Sequence, residues 1–188
     1  MFAIKVYCIW EHNGNDSLIY AQDYIGAFTR GASKEEALAK MDREIRSYLQ
    51  WRDGLPLPFP AEKAIETVII QEKVSELRIA DADSDVLFEY QMLKELALKS
   101  ARDFQRLFDA IPDKNRTALS TRKTFYGQVP VTAQQMYNHT SGVNSYYFGE
   151  IGVRAVRADD ANNKASNIVT CRRRSFDLLE STYTGAQN

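Results

Sequence analysis

The sequence predicts an α+β protein: a small antiparallel sheet with one helix, followed by an all-α, up-and-down helical bundle. Three observations carry this expectation. Apolar residues alternate at the N-terminus, from Phe2 through Ile4, Val6 and Cys8 to Trp10, which is the period of a strand with one buried face. From Phe88 onward the period becomes that of helices buried along a single stripe. Between the two lies "LPLPFP" at 55–60, whose alternating prolines forbid helix and hold the chain extended. We therefore divide the chain into residues 1–78, with a proline-rich exit at 54–60, and residues 79–188.

Each element has its own signal. "HNGND" supplies a turn after the first strand, and "SLIYAQDY" at 17–24 makes a returning strand, closing a hairpin around the Asn-Gly pair. Ser33 and Glu36 fit a capping box, and the helix behind them sets Leu38, Met41, Ile45, Tyr48 and Leu49 on one face. It stops at "RDG". A further strand, "ETVIIQEKVSEL" from about residue 66, is placed in the same sheet.

In the second half, Leu93, Leu96, Ala97, Ser100, Phe104, Leu107, Phe108 and Ile111 follow helical spacing from Phe88 to Ile111, and Pro112 ends the run. The polar stretch 113–130 reads as a long connection packed through Phe125 and Tyr126. Thr132 with Gln135 forms a second capping box; its helix carries Met136, His139, Val143, Tyr147 and Glu150 on one stripe, with Tyr137, Thr140 and Phe148 beside it, so His139 is expected to face inward or nearly so. A last helix, about 164–180, turns Ile168, Cys171, Ser175, Leu178 and Leu179 toward the core and Arg172, Arg173 and Arg174 mostly away from it.

Composition narrows the function. The 24 basic and 25 acidic residues nearly cancel, leaving no broad pull toward nucleic acid or an anionic membrane. No stretch of 18 apolar residues exists and "MFAIKVYCIWEHNG" has no leader pattern. The reading is a soluble cytoplasmic protein with Cys8 and Cys171 as free thiols. "DADSD" at 81–85 has the alternate carboxylates of a calcium loop but Val86 and Met92 where glycine and glutamate belong, and is read as a solvated linker. The arginines of "CRRRS" at 171–175 are read as a solvated helix face. With His12 and His139 the only histidines, no GxSxG and no glycine-rich phosphate loop, hydrolytic triads and nucleotide chemistry are not expected.

Two resemblances follow from these segments. The hairpin followed by "GAFTRGASKEEALAKMDREIRSYLQWRDGLPLP" resembles the HicB family of antitoxin-like domains over residues 1 to about 75, with its Gly-x-Phe-Thr turn, capped Glu-Glu-Ala helix and Gly-x-Pro-x-Pro exit. That resemblance implies a partial ribonuclease-H-like sheet that has lost catalysis and works by binding a partner. The DNA-binding element that complete antitoxins add is not visible in this sequence. The helix, "IPD", the long connection and "VPVTAQQMYNHTSGVNSYYFGEIG" resemble the DinB-like helical bundles over residues 88 to about 180. Such bundles hold a divalent metal with one histidine of the second helix and an HxxxH-like pair on a late helix. His139 matches the first position. The pair is absent, the last helix offering Cys171, Ser175, Asp177 and Glu180 instead, and no fourth periodic segment follows, so the bundle is read as short of its last helix.

The expected function is non-catalytic binding or scaffolding. The sheet edge or an exposed helix surface would bind a protein partner or a second copy of the chain, giving a homodimer; nucleic acid and membrane are not expected partners. The bundle would keep a degenerate pocket of Phe104, Met136, His139, Val143 and Cys171, with no cofactor. The alternative is a divalent-metal-dependent DinB-like enzyme, a hydrolase or thiol transferase, with zinc or nickel on His139.

Overall fold

The computed structural model describes residues 3–54, 60, 62–74, 86–117, 119–124, 127–154 and 167–185. The chain is α+β and divides into two compact units, Met1–Ala82 with Lys123–Gly127 and Asp83–Arg122 with Gln128–Asn188. The proline run at 55–59, the acidic "DADSD" segment, Phe125 and Tyr126 lie outside the described residues. Among those described, no helix is long and apolar enough to cross a membrane.

The first unit is a four-stranded sheet in the order β3 (Phe28–Gly31), β2 (Asp16–Ala21), β1 (Ile4–Asn13), β4 (Ile65–Val74), with one helix. Strands β1 (Ile4–Asn13) and β2 (Asp16–Ala21) form a hairpin in which Asn13 pairs with Asp16. Its two-residue loop depends on Gly14, whose φ of 57° lies in the left-handed region. Strand β3 (Phe28–Gly31) pairs antiparallel with β2. The Gly-x-Phe-Thr turn expected at 26–29 runs into this strand, whose four residues are too few to show a period.

Helix α1 (Lys34–Asp53) then returns the chain across the sheet, so β4 (Ile65–Val74) runs parallel to β1. The sheet is therefore mixed, not wholly antiparallel: a parallel neighbour needs a long crossover, and α1 is one. Ser33 caps α1 by accepting from the Glu36 N–H (3.3 Å), while the Glu36 carboxylate accepts from the Ala32 N–H (2.9 Å). At the other end Gly54, with φ 62°, donates to the Gln50 carbonyl (3.0 Å).

The inward face of α1 (Ala37, Met41, Ile45, Tyr48 and Leu49) covers Val6, Cys8, Ile19 and Ala21. Burying Met41, Ile45 and Leu49, all 2% exposed or less, contributes on the order of 5–9 kcal/mol of transfer free energy. On the opposite sheet face Tyr7 and Phe28 are exposed while Glu11 and Asp16 are buried.

The second unit holds α2 (Val86–Ala110), α3 (Ala133–Glu150) and α4 (Ile168–Gly185). Tyr137 of α3 stacks on Phe108 and Phe104 of α2, with centroids 4.2 and 6.1 Å apart. Its hydroxyl donates to Gln105 Oε1 (3.0 Å) and accepts from the Ile168 N–H at the start of α4 (3.1 Å). Phe148 of α3 meets Phe176 of α4 edge to face at 5.2 Å, and Tyr90 of α2 meets the same ring at 6.3 Å. One tyrosine and one phenylalanine thus tie the three helices at two levels. Two short strands, β5 (Lys123–Thr124) and β6 (Gly127–Gln128), pair with each other in the connection.

Candidate functional site

The stripe that faces inward on α3 is Tyr137, Ser141, Asn144 and Phe148, not the one expected from Met136, His139, Val143 and Tyr147. At 100° per residue His139 sits roughly 200° around the helix from Tyr137, and it is exposed. This corrects the inward placement of His139. The rings decide the rotation: stacking Tyr137 between Phe104 and Phe108 buries far more apolar surface than an imidazole would.

Of the other residues expected to line a pocket, Cys171 is buried, and Phe104, Met136 and Val143 are half-buried. Phe104 is engaged by Tyr137, and the Met136 carbonyl accepts from the Thr140 hydroxyl (2.8 Å). Among the described residues no group of three or more His, Cys, Asp or Glu side chains is placed to hold a metal ion. His12, the other histidine, lies on β1 and meets Glu72 of β4 at 3.1 Å, with its ring stacked on Trp10 at 4.3 Å.

The sequence reading missed a polar centre between the helices. Arg172, expected outward, turns in. Its Nη1 donates to the Ala97 carbonyl of α2 (3.1 Å) and its Nε to Asn144 Oδ1 of α3 (3.4 Å). Asn144 donates to the Ser175 hydroxyl (3.3 Å), which donates to the Cys171 carbonyl (2.8 Å). Burial pushes the Arg172 guanidinium below its ordinary pKa, because removal from water disfavours the charged form. The visible signal was Asn144 with Ser141 on an otherwise aromatic stripe, since buried polar residues call for a partner.

Beside it, Glu180 accepts from Lys94 (2.5 Å) and from the Tyr90 hydroxyl (3.0 Å). The Lys94 hydrogen bond holds the Glu180 carboxyl below its usual range. Burial, then the hydrogen bond to Glu180, pushes Tyr90 up to about 12. Both groups move away from neutrality, the opposite of what general acid–base work requires. Cys8 behaves alike: burial, then the nearby Asp23 charge, raises its thiol to about 11, which removes the thiolate a nucleophile needs. The Glu180 contacts join α4 to α2 within the helical unit.

The surface feature that stands out is the β4 edge. β4 is a ten-residue strand at one end of the sheet order, paired with β1 on one side. Ile70 is 52% and Val74 66% exposed. Among the described residues no strand pairs with its outer side, so the N–H and C=O groups directed there form a template for another strand. Comparison with protein-family models, with curated proteins and with solved structures finds no match.

Proposed function

We propose that the protein is a non-catalytic binding protein. Its N-terminal unit, read as HicB-like, engages a macromolecule by strand addition at the β4 edge, and its helical unit, read as a DinB-like bundle, serves as scaffold. The observation that carries this is the long edge of β4, unpaired on its outer side among the described residues, with Ile70 and Val74 exposed. Edges of this kind are normally kept short or covered, because backbone hydrogen bonding along them recruits further strands. Three titratable groups support the same reading: Cys8, Tyr90 and Glu180 are shifted away from the pH at which they would transfer protons or attack.

The test is affinity isolation of the full chain from native extract, in parallel with Ile70→Lys. Material retained by the wild type and lost with the charged variant is the expected result. A lone monomer in both samples overturns the proposal.

A further inference from the structure

We infer that the occupant of the β4 edge is the β4 of a second copy, antiparallel to the first, in the register that sets Glu66 opposite Lys73 of the other chain. This rests on the strand-addition reading above and narrows it to self-recognition. Glu66 and Lys73 stand near the two ends of the strand, and among the described residues neither is in an ion pair. Antiparallel strands related by a two-fold axis meet so that one contact is repeated at both ends. A strand that carries an acid near one end and a base near the other is therefore complementary to itself.

The pairing requires both side chains on the same face of the sheet. They are an odd number of residues apart, and in an unbroken strand they would point to opposite faces. Here β4 has a bulge. Cys8 pairs with Ile69 and Ile9 with Gln71, so Ile70 is the extra residue and the alternation is reset. The register records the outcome: Glu66 lies opposite Lys5 and Lys73 opposite Glu11, both on the odd-numbered face of β1.

Joined at β4, two chains would align Lys5, Glu66, Lys73 of the second copy and Glu11 of the second copy in one row. Charge alternates across four strands, and the two-fold axis repeats the row. On the other face Ile65 meets Val74 of the second copy and removes that valine from water. Sliding the pair by one residue sets Glu66 against Glu72 and puts the two faces out of step, so that register is penalised.

An edge pair of this length is a small interface, and a dissociation constant of roughly 1–100 µM is expected. The experiment is sedimentation equilibrium of the full chain across the micromolar to millimolar range, with circular dichroism as the folding control. The wild type should dimerise. Glu66→Lys and Lys73→Glu each turn two attractive pairs into two repulsive ones and should weaken self-association by roughly tenfold or more. An equimolar mixture of the two variants should restore a heterodimer of wild-type affinity, as should the double charge swap in a homodimer, neither of which a folding defect could produce.

If a charge reversal prevents folding, Glu66→Gln and Lys73→Gln give the same readout with a weaker effect. A wild type that stays monomeric throughout overturns the inference, as does a dimer indifferent to both substitutions. If the monomer still retains a macromolecule from extract in a way that Ile70→Lys abolishes, strand addition stands and self-recognition alone falls.

Discussion

Replacing Gly31 with alanine should unseat the start of α1. A Cβ built at Gly31 would lie 2.8 Å from the Ala37 nitrogen, 2.9 Å from Glu36 Cβ and 3.1 Å from the Glu36 carbonyl carbon. These atoms belong to the first turn of the helix, so no flexible side-chain tip can swing aside; either β3 or α1 must move. Four contacts resist that movement. Thr29 donates to the Ala37 carbonyl (2.9 Å), Lys40 to the Arg30 carbonyl (2.9 Å), the Glu36 N–H to Ser33 (3.3 Å) and the Ala32 N–H to Glu36 (2.9 Å).

Overpacking of a rigid site costs about 1–3 kcal/mol, and disturbing the cap adds about 1 kcal/mol. Against this, alanine restricts the unfolded chain and returns about 0.4–1 kcal/mol. The net destabilisation is then about 1–3.6 kcal/mol, which lowers the Tm of a unit this size by roughly 4–29 °C. Thermal unfolding followed by circular dichroism, with urea titration to give the midpoint, measures it. An unchanged or raised Tm would refute the close seating of α1 on β3, and with it the account of why glycine follows "FTR".

Two further predictions bear on the same unit. Asp16 is 1% exposed and accepts two hydrogen bonds from the Arg30 guanidinium, one of them 2.7 Å from Nε. Arg30→Met should cost about 3 kcal/mol by leaving a buried carboxylate without its cation; Asp16→Asn added to it should recover part of the loss in a double-mutant cycle, and full additivity would exclude the coupling. Cys8 has a folded pKa of about 11 against 9.0 for the free thiol. A raised pKa means that its stabilising contribution is complete below pH 9 and fades as pH rises toward 11. The stability of the wild type relative to Cys8→Ala should accordingly fall over that window, and parallel pH profiles would show that the thiol is not the group concerned.

Much of the first unit was legible because its signals are local. Alternation from Ile4 to Trp10, the Asn-Gly turn, Ser33 with Glu36 and the stripe from Met41 to Leu49 each report a choice made within a few residues. What escaped was pairing. Phe28–Gly31 became a strand only because β2 offered it a partner, and β4 became parallel only because α1 carried the chain back across the sheet. The bulge at Ile70, which sets the faces of Glu66 and Lys73, leaves no mark in the sequence of β4 itself.

In the helical unit the sequence located three helices but misjudged their rotation. On α2, Leu93 and Leu107 are exposed while Ala101 is buried; on α3, His139 is exposed while Asn144 is buried. Two stripes one step apart on a mildly amphipathic helix are nearly equivalent by hydropathy, and either could face a core. Tyr137 between Phe104 and Phe108, Phe148 against Phe176, and Arg172 reaching Ala97 and Asn144 made the choice.

The sequence by itself determined the order of the principal elements, the caps of α1 and α3 and the helix that covers the sheet, because propensity, capping and periodicity act between residues close in the chain. Only the tertiary structure decided which side of α3 holds the histidine, that Arg172 is half-buried, and that β4 stands at the end of the sheet order with an acid and a base on one face. Those outcomes depend on which distant surface each element meets, and burial against a particular partner outweighs the small differences that distinguish one helix face or strand register from the next.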